Sequence, residues 1–344
     1  GCYGNTYHET PNLDRLAGEG IAFDRAYTTY PVCTPARAAI FTGRTPLQSG
    51  AYTNELPLYE TVPTLGEIFG QAGYRVGYIG KWHLDGAGYL GGGKAARGFP
   101  DALWYDGEAY RADVGEAAFA RGYGSYTSLE LREADLPDAL CWATRNTDRA
   151  VAFIEQHAES DEPFLLVVSH DEPHPPAVCP ARLLDRVKLV DIELPATMRD
   201  PLEGKPLMQR RWQAADREKY DITPASMRDG IHRYLACNAF VDEQIGRLLD
   251  CIDRECRDNT AVIYSVDHGD FCGDFGLTGK GPAMYDAITR VPLLVRAPGV
   301  TRPGIRTTAL TSTLDLMPTM LELAGITANT PLDGVSQCST LANP

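Results

Sequence analysis

The stretch Gly73-Tyr-Arg-Val-Gly-Tyr-Ile-Gly-Lys-Trp-His83 decides how this chain is read. Its run from Tyr74 to Ile79 is rich in strand formers, and Gly73 closes a helical segment spanning residues 64–72. A helix feeding a short strand, with Lys81 and His83 just past the strand's carboxyl end, is the working unit of an open α/β sheet. The unit recurs outward along the chain. Residues 12–19 have helical spacing with Leu13 and Leu16 inward, and a strand follows at 21–27. An amphipathic helix over 139–157 leads to an apolar strand at 164–169 that reads as fully buried, and a long helix over 225–252 leads to another buried strand at 260–265. A strand at 291–295 and a helix at 314–323 complete the series. The alternation predicts an α/β fold, with a mostly parallel central sheet covered by helices on both faces. Such a sheet gathers its strand carboxyl ends at one crevice, where Lys81 and His83, His170 and His174, and Asp267 and His268 all fall.

The stretch Pro31-Val-Cys-Thr-Pro-Ala-Arg-Ala-Ala-Ile-Phe-Thr-Gly43 adds chemistry. Thr34 suits an N-cap, Pro35 the first helical position, and Gly43 the stop, so Cys33 stands at a helix N-terminus. Free backbone N–H groups there favour an anion, and Arg37, one turn on, adds charge and bidentate donors. A buried, inert cysteine is the bland alternative for this motif taken alone.

The two stretches together resemble the two signatures of the formylglycine-dependent (type I) sulfatases, members of the alkaline phosphatase superfamily. The similarity continues, in the family's order, through Gly1-Cys-Tyr-Gly-Asn5, Thr10-Pro-Asn-Leu-Asp-Arg-Leu-Ala17, Asp171-Glu-Pro-His-Pro-Pro176, Asp267-His-Gly-Asp270, Gly279-Lys-Gly-Pro282 and Arg290-Val-Pro292. The resemblance implies hydrolysis of sulfate esters through a formylglycine hydrate made from Cys33 by a maturation enzyme. It implies His83 as the base near the nucleophile, His174 as proton donor to the leaving oxygen, and Arg37, Lys81 and Lys280 as charge partners of the sulfuryl oxygens. His170 competes with His174 for its role, with a strand-finishing residue as the plainer reading. Asp267 and His268 would bind a cation, Ca²⁺ or alternatively Mg²⁺. On spacing alone Asp267-His-Gly-Asp270 reads as a turn, with Gly269 at positive φ; the resemblance favours the metal. Asp270 and Asp274 read as loop residues, and Phe275 stands where the family often has His.

A sulfated carbohydrate or an aryl sulfate is the expected substrate. Hydrolysis of phosphonate monoesters or phosphodiesters by the same nucleophile is one alternative. A non-catalytic homologue lacking half the metal site is another, because the family's first strand and its two aspartates precede the element found at Gly1. The resemblance thus implies a fragment, with residues 1–330 a sulfatase-like catalytic domain and 331–344 the start of a C-terminal region whose small domain is largely absent. It also suggests export to the periplasm or beyond.

Composition agrees with a globular chain. The 344 residues are 44% hydrophobic and 23% charged, with a net charge of −14. That charge argues against nucleic acid or anionic lipid as partners, so an anionic substrate requires a local cationic pocket. Nine cysteines without Cys-x-x-Cys spacing point to neither a zinc ribbon nor a redox pair; buried thiols are expected, and Cys251 and Cys256 could pair if the protein is exported. No apolar run reaches the ~18–20 residues of a membrane span. The Gly- and Tyr-rich residues 84–137 read as an insertion that shapes substrate access, and the Pro-rich residues 177–223 show no period.

Overall fold

Strand register sets where the polar residues end up. The computed structural model describes residues 1–123, 136–220 and 222–344, with the side chain of residue 190 also outside the description. The strands are β1 (Ile21–Tyr27), β2 (Arg75–Gly80), β3 (Trp104–Tyr105), β4 (Phe164–Ser169), β5 (Val262–Ser265), β6 (Leu293–Arg296) and β7 (Ile305–Ser312). They pair in the orders β3-β2-β4 and β5-β6-β1-β7. β2 is parallel to β3 and β4, the latter in register from Arg75 opposite Phe164 to Gly80 opposite Ser169, and β1 is parallel to β7. β6 alone runs antiparallel to its neighbours β1 and β5, because it enters the sheet at the end where β5 leaves it.

Helices α1 (Pro11–Glu19), α2 (Cys33–Thr42), α3 (Pro46–Ser49), α4 (Leu65–Gln71), α5 (Gly107–Val114), α6 (Glu116–Tyr123), α7 (Trp142–His157), α8 (Leu207–Lys219), α9 (Pro224–Glu255), α10 (Asp286–Thr289), α11 (Leu316–Leu323) and α12 (Cys338–Ala342) surround these sheets. Alternation along each strand divides the core. Val76 and Tyr78 of β2 pack with Phe41 of α2, Leu65 and Phe69 of α4 and Leu321 of α11. Ile79 of β2 and Leu166 and Val168 of β4 turn the other way, toward Trp142 and Ala150 of α7 and Leu235 and Phe240 of α9. Further along α9, Val241, Ile245 and Leu249 cover Ala22 of β1 and Leu294 of β6, so one long helix spans both sheets. Local signals explain the helix starts. Thr64 and Glu67 form a reciprocal capping box at α4, and Thr223 with Ser226 does the same at α9, where Pro224 takes the first turn.

Several expectations are corrected. β4 and β5, read from their apolar sequences as fully buried, are half-buried along their lengths. Each forms one edge of its sheet among the described residues. The structure adds β7 and α8, which periodicity did not single out. β7 reads Ile-Arg-Thr-Thr-Ala-Leu-Thr-Ser and is an edge strand with exposed threonine and arginine, which mutes the apolar alternation. Within the insertion, residues 84–123 hold β3, α5 and α6; residues 124–135 lie outside the description. All nine cysteines are free, including Cys251 and Cys256, and Cys2, Cys272 and Cys338 are only partly buried. No described helix is long and apolar enough to cross a membrane.

Candidate active site

Four segments, each directly following the carboxyl end of β1, β2, β4 or β5, meet around Cys33. The helix beneath it starts earlier than its sequence suggests. Val32 is the N-cap and Cys33 the first helical residue, because the Val32 carbonyl already accepts from Ala36 N at 3.0 Å. Thr34 therefore lies inside the first turn. Its Oγ1 donates to the His83 carbonyl at 2.9 Å, and its N–H is satisfied by Asn54 Oδ1 at 3.0 Å.

Cys33 is 1% exposed, with Sγ 3.1 Å from His268 Nε2 and 3.8 Å from Lys81 Nζ. Burial pushes the thiol up, but Lys81, Lys280 and His268 outweigh it and hold it well below the usual thiol range. The site thus stabilises negative charge at residue 33.

Arg37 does something other than expected. Nε donates to Trp82 O at 2.8 Å, and the NH2 nitrogen donates to Tyr78 Oη at 2.7 Å, Ser169 Oγ at 2.9 Å and the Lys81 carbonyl. NH1 faces Asp267 Oδ2 at 3.8 Å. Most of the guanidinium fork therefore holds the protein itself, clamping residues 78–82 against α2. The backbone beneath it is tight. Gly80 has φ +108, and a Cβ there would lie 1.9 Å from Ser169 O, so only glycine lets β2 and β4 close before Lys81. Rings lock the same segment: Tyr78 lies 4.9 Å from Trp82 and 5.0 Å from Trp104, between ring centroids. Burying each of these side chains contributes about 2–3 kcal/mol.

Lys81 is 4% exposed and pairs with Asp171 Oδ1 at 3.3 Å. Its ammonium lies 4.2 Å from the centroid of the Tyr89 ring, and Tyr89 Oη donates to Asp171. Tyr89, from the insertion, was not singled out by sequence, yet its ring also lies 4.7 Å from that of His174 and 5.5 Å from that of His83. No motif marks it; only the Gly- and Tyr-rich composition around it was a signal. His174 Nδ1 donates to Pro175 O at 2.7 Å and Nε2 lies 2.9 Å from Lys280 Nζ, so the lysine supplies the shared proton. Burial, then Lys81, lowers the His174 pKa. His170 is not among these contacts: its ring nitrogens are buried without partners among the described residues, and burial pushes it down to about 4. His83 sits beside Thr34 through its backbone, while its ring Nε2 lies 2.9 Å from Glu55 Oε1, another residue without a sequence signal.

Asp267 and His268 form the fourth segment. His268 N donates to Asp267 Oδ1 at 3.0 Å and His268 Nδ1 to Gly269 O at 2.8 Å, which leaves Nε2 toward Cys33. Gly269 is not at positive φ as the turn reading required. It is needed for space: a Cβ would lie 2.1 Å from Ala287 O. Burial opposes ionisation of Asp267, yet His268, Lys81 and Arg37 hold its carboxyl below the ordinary value. Asp270 accepts from Cys272 N and Gly279 N, and Asp274 accepts from Thr197 Oγ1, so both stitch the loop that carries Lys280.

Ligand atoms of Cys33, Asp267 and His268 lie within 4.8 Å of one another, a partial set of donors for a cation. One carboxylate among a sulfur and an imidazole falls short of the roughly six to eight oxygens a Ca²⁺ ion takes. Arg37 and Lys81 already face these donors. The described residues therefore do not by themselves make the expected calcium site.

Behind Asp171 lies Glu172, 5% exposed, whose Oε1 accepts from Ala143 N at 2.9 Å near the start of α7. Burial, reinforced by the Asp171 carboxylate, pushes it up from 4.5 to about 7. The folded chain thus keeps a proton that the unfolded chain releases. Its stabilising effect is full below pH 4.5 and is lost by about pH 7, up to about 3 kcal/mol in all. Glu172→Gln keeps the acceptor without the charge. Its melting temperature relative to wild type should therefore rise between about pH 5 and about pH 8; an offset independent of pH would refute this assignment.

A family model described as Sulfatase matches residues 1–326. The uncharacterized sulfatase YidJ of Escherichia coli K12 is 43% identical over 331 residues, covering 95% of this chain and 65% of its own length. The choline-sulfatase of Rhizobium meliloti 1021 is 31% identical over 339 residues, covering 92% of this chain and 63% of its own. The chain thus spans less than two thirds of both relatives. The solved phosphonate monoester hydrolase of Agrobacterium radiobacter shares the fold, with TM-score 0.82 and 22% identity over 98% of this chain and 73% of that one.

Proposed function

The chain belongs to the sulfatase family, and from that premise we propose that it hydrolyses sulfate esters of alcohols, a sulfated carbohydrate above all, through residue 33. The observation that carries this reading is the buried Cys33 Sγ, placed at the first residue of α2 between His268 Nε2 and Lys81 Nζ. A thiolate attacking sulfur would form a thiosulfate ester with no internal route to release. Oxidised to formylglycine by a maturation enzyme and hydrated, residue 33 supplies one hydroxyl to attack sulfur and a second whose collapse expels sulfate.

The surrounding side chains divide the remaining work. Lys81 and Lys280 neutralise charge on the sulfuryl oxygens, the electrostatic contribution that dominates in dry, preorganised sites. They also supply the local positive charge that a chain of net charge −14 needs to admit an anion. His83 takes the proton of the attacking hydroxyl. Lys280 and His174, sharing one proton at 2.9 Å, deliver it to the departing alkoxide. Sugar and other alkyl alcohols are poor leaving groups, so this pair matters most for them. Arg37 acts through position, holding the Lys81 carbonyl and facing Asp267. The family generally uses a metal ion; here Asp267 and His268 would contribute to its binding, with further oxygen ligands required.

The test compares an aryl sulfate with the matching aryl phosphonate monoester, using protein produced together with the maturation enzyme. The expected result is kcat/KM for the sulfate higher by about tenfold or more. The reverse preference would favour the phosphonate reading, since the same cationic pocket suits either tetrahedral anion. Turnover of neither, with anion binding retained, would mark a non-catalytic homologue.

A further inference from the structure

Residues 54 and 55 have no part in the mechanism above, yet both reach the site. Asn54 Oδ1 accepts from Thr34 N at 3.0 Å, and Glu55 Oε1 lies 2.9 Å from His83 Nε2. Leu58 N donates to Leu84 O at 3.2 Å, which docks the two segments side by side. Glu55 and His83 both adopt left-handed backbone, at φ 66 and φ 58, a conformation that costs free energy for either residue. Surrounding contacts must hold them there. His83 is 4% exposed, and its Nδ1 is buried without a partner among the described residues.

We propose that Glu55 is a positioning residue that fixes the tautomer of His83. An ionised carboxylate only accepts hydrogen bonds, and a neutral imidazole carries a single N–H. When that N–H is on Nε2 and donates to Glu55, the lone pair is on Nδ1, the nitrogen left without a protein partner. Nδ1 is then the atom that receives the proton when the group on residue 33 attacks. The Thr34 hydroxyl, bonded to the His83 carbonyl, ties the backbone of this histidine to the residue next to the nucleophile. Glu55 itself is half exposed, with 54% of its side chain accessible. A hydrogen bond to so exposed a carboxylate adds little to stability, so the contact matters for orientation. The inference rests on the reading of His83 as the base.

The experiment is ¹⁵N NMR of the histidine rings in the 344-residue chain, with His83→Gln identifying the signals. Wild type should show protonated Nε2 and bare Nδ1 at His83. Glu55→Ala should show a mixture or the opposite tautomer, and Glu55→Gln, whose carbonyl still accepts, should restore the wild-type pattern. In turnover of a sulfate ester, Glu55→Ala should lower kcat by about 10- to 100-fold with KM nearly unchanged, and Glu55→Gln should recover most of the loss. Identical His83 nitrogen shifts in wild type and Glu55→Ala overturn the proposal, whether or not the chain is active. A tautomer change in a chain that hydrolyses no ester supports the proposal and counts against ester hydrolysis alone.

Discussion

Replacing Cys33 with alanine is expected to abolish ester turnover, lowering kcat by roughly 10⁴- to 10⁶-fold, the loss typical when a nucleophile is removed from an otherwise intact site. The reason is specific to this pocket. Lys81, Lys280 and His268 lower the thiol pKa against the effect of burial, so the pocket is arranged for an anion at or beside residue 33. In Cys33→Ala those cations remain, and a sulfate ion should bind at least as well as in wild type. The fold should survive, because the side chain is small and α2 is held by Val32, Asn54 and Arg37. Loss of turnover with retained anion binding is therefore the expected pair of results, read by steady-state kinetics and calorimetry. Wild-type-like kinetics in Cys33→Ala would remove residue 33 from the mechanism. Mass spectrometry of the peptide bearing Cys33 gives an independent check: unmodified cysteine throughout an active preparation would exclude formylglycine.

Arg37→Ala is expected to have the largest effect on stability. Arg37 is 6% exposed and serves Trp82 O, Tyr78 Oη, Lys81 O and Ser169 Oγ while facing Asp267. Truncation strands these acceptors and leaves the Asp267 charge with fewer cations nearby, a loss of about 3–5 kcal/mol. Arg37→Lys keeps a charge but not the planar fork, so its stability should fall between the two. Because the same contacts hold residues 78–82, Lys81 shifts with them, and kcat should drop by about 100-fold even for the lysine variant. Chemical denaturation and kinetics on both variants check this. A lysine variant as stable and active as wild type would show that the clamp is dispensable.

Much of the site was legible because its residues lie at strand ends. Cys33, Lys81, His174, Asp267 and Lys280 each sit in a short motif, and the fold only had to bring those motifs to one place. The apolar pattern of the strands is local, and it located β1, β2, β4 and β5 to within two residues at either end. Where the pattern was weak, as in β7, which buries Thr307 and Thr311 and exposes Leu310, or in the highly charged α8, the elements went unseen. The start of α2 was misplaced for a related reason. Thr34 has the chemistry of a cap, but its hydroxyl is drawn to the His83 carbonyl by tertiary packing.

The sequence alone determined the alternation of strands and helices, the convergence of polar residues at strand carboxyl ends, and the candidates for nucleophile, cations and proton carriers. All of these follow from short-range periodicity and from motifs a few residues long. Tertiary structure decided how each candidate is used. It committed most of the Arg37 fork to the backbone of residues 81 and 82 and to Tyr78 and Ser169, joined Lys280 to His174, set Tyr89 against Lys81, and brought Glu55 to His83. Except between Lys81 and Tyr89, these pairings link residues at least 28 positions apart in sequence. Their partners are chosen by which segments pack together, and hydrogen-bond geometry across such distances leaves no periodic trace along the chain.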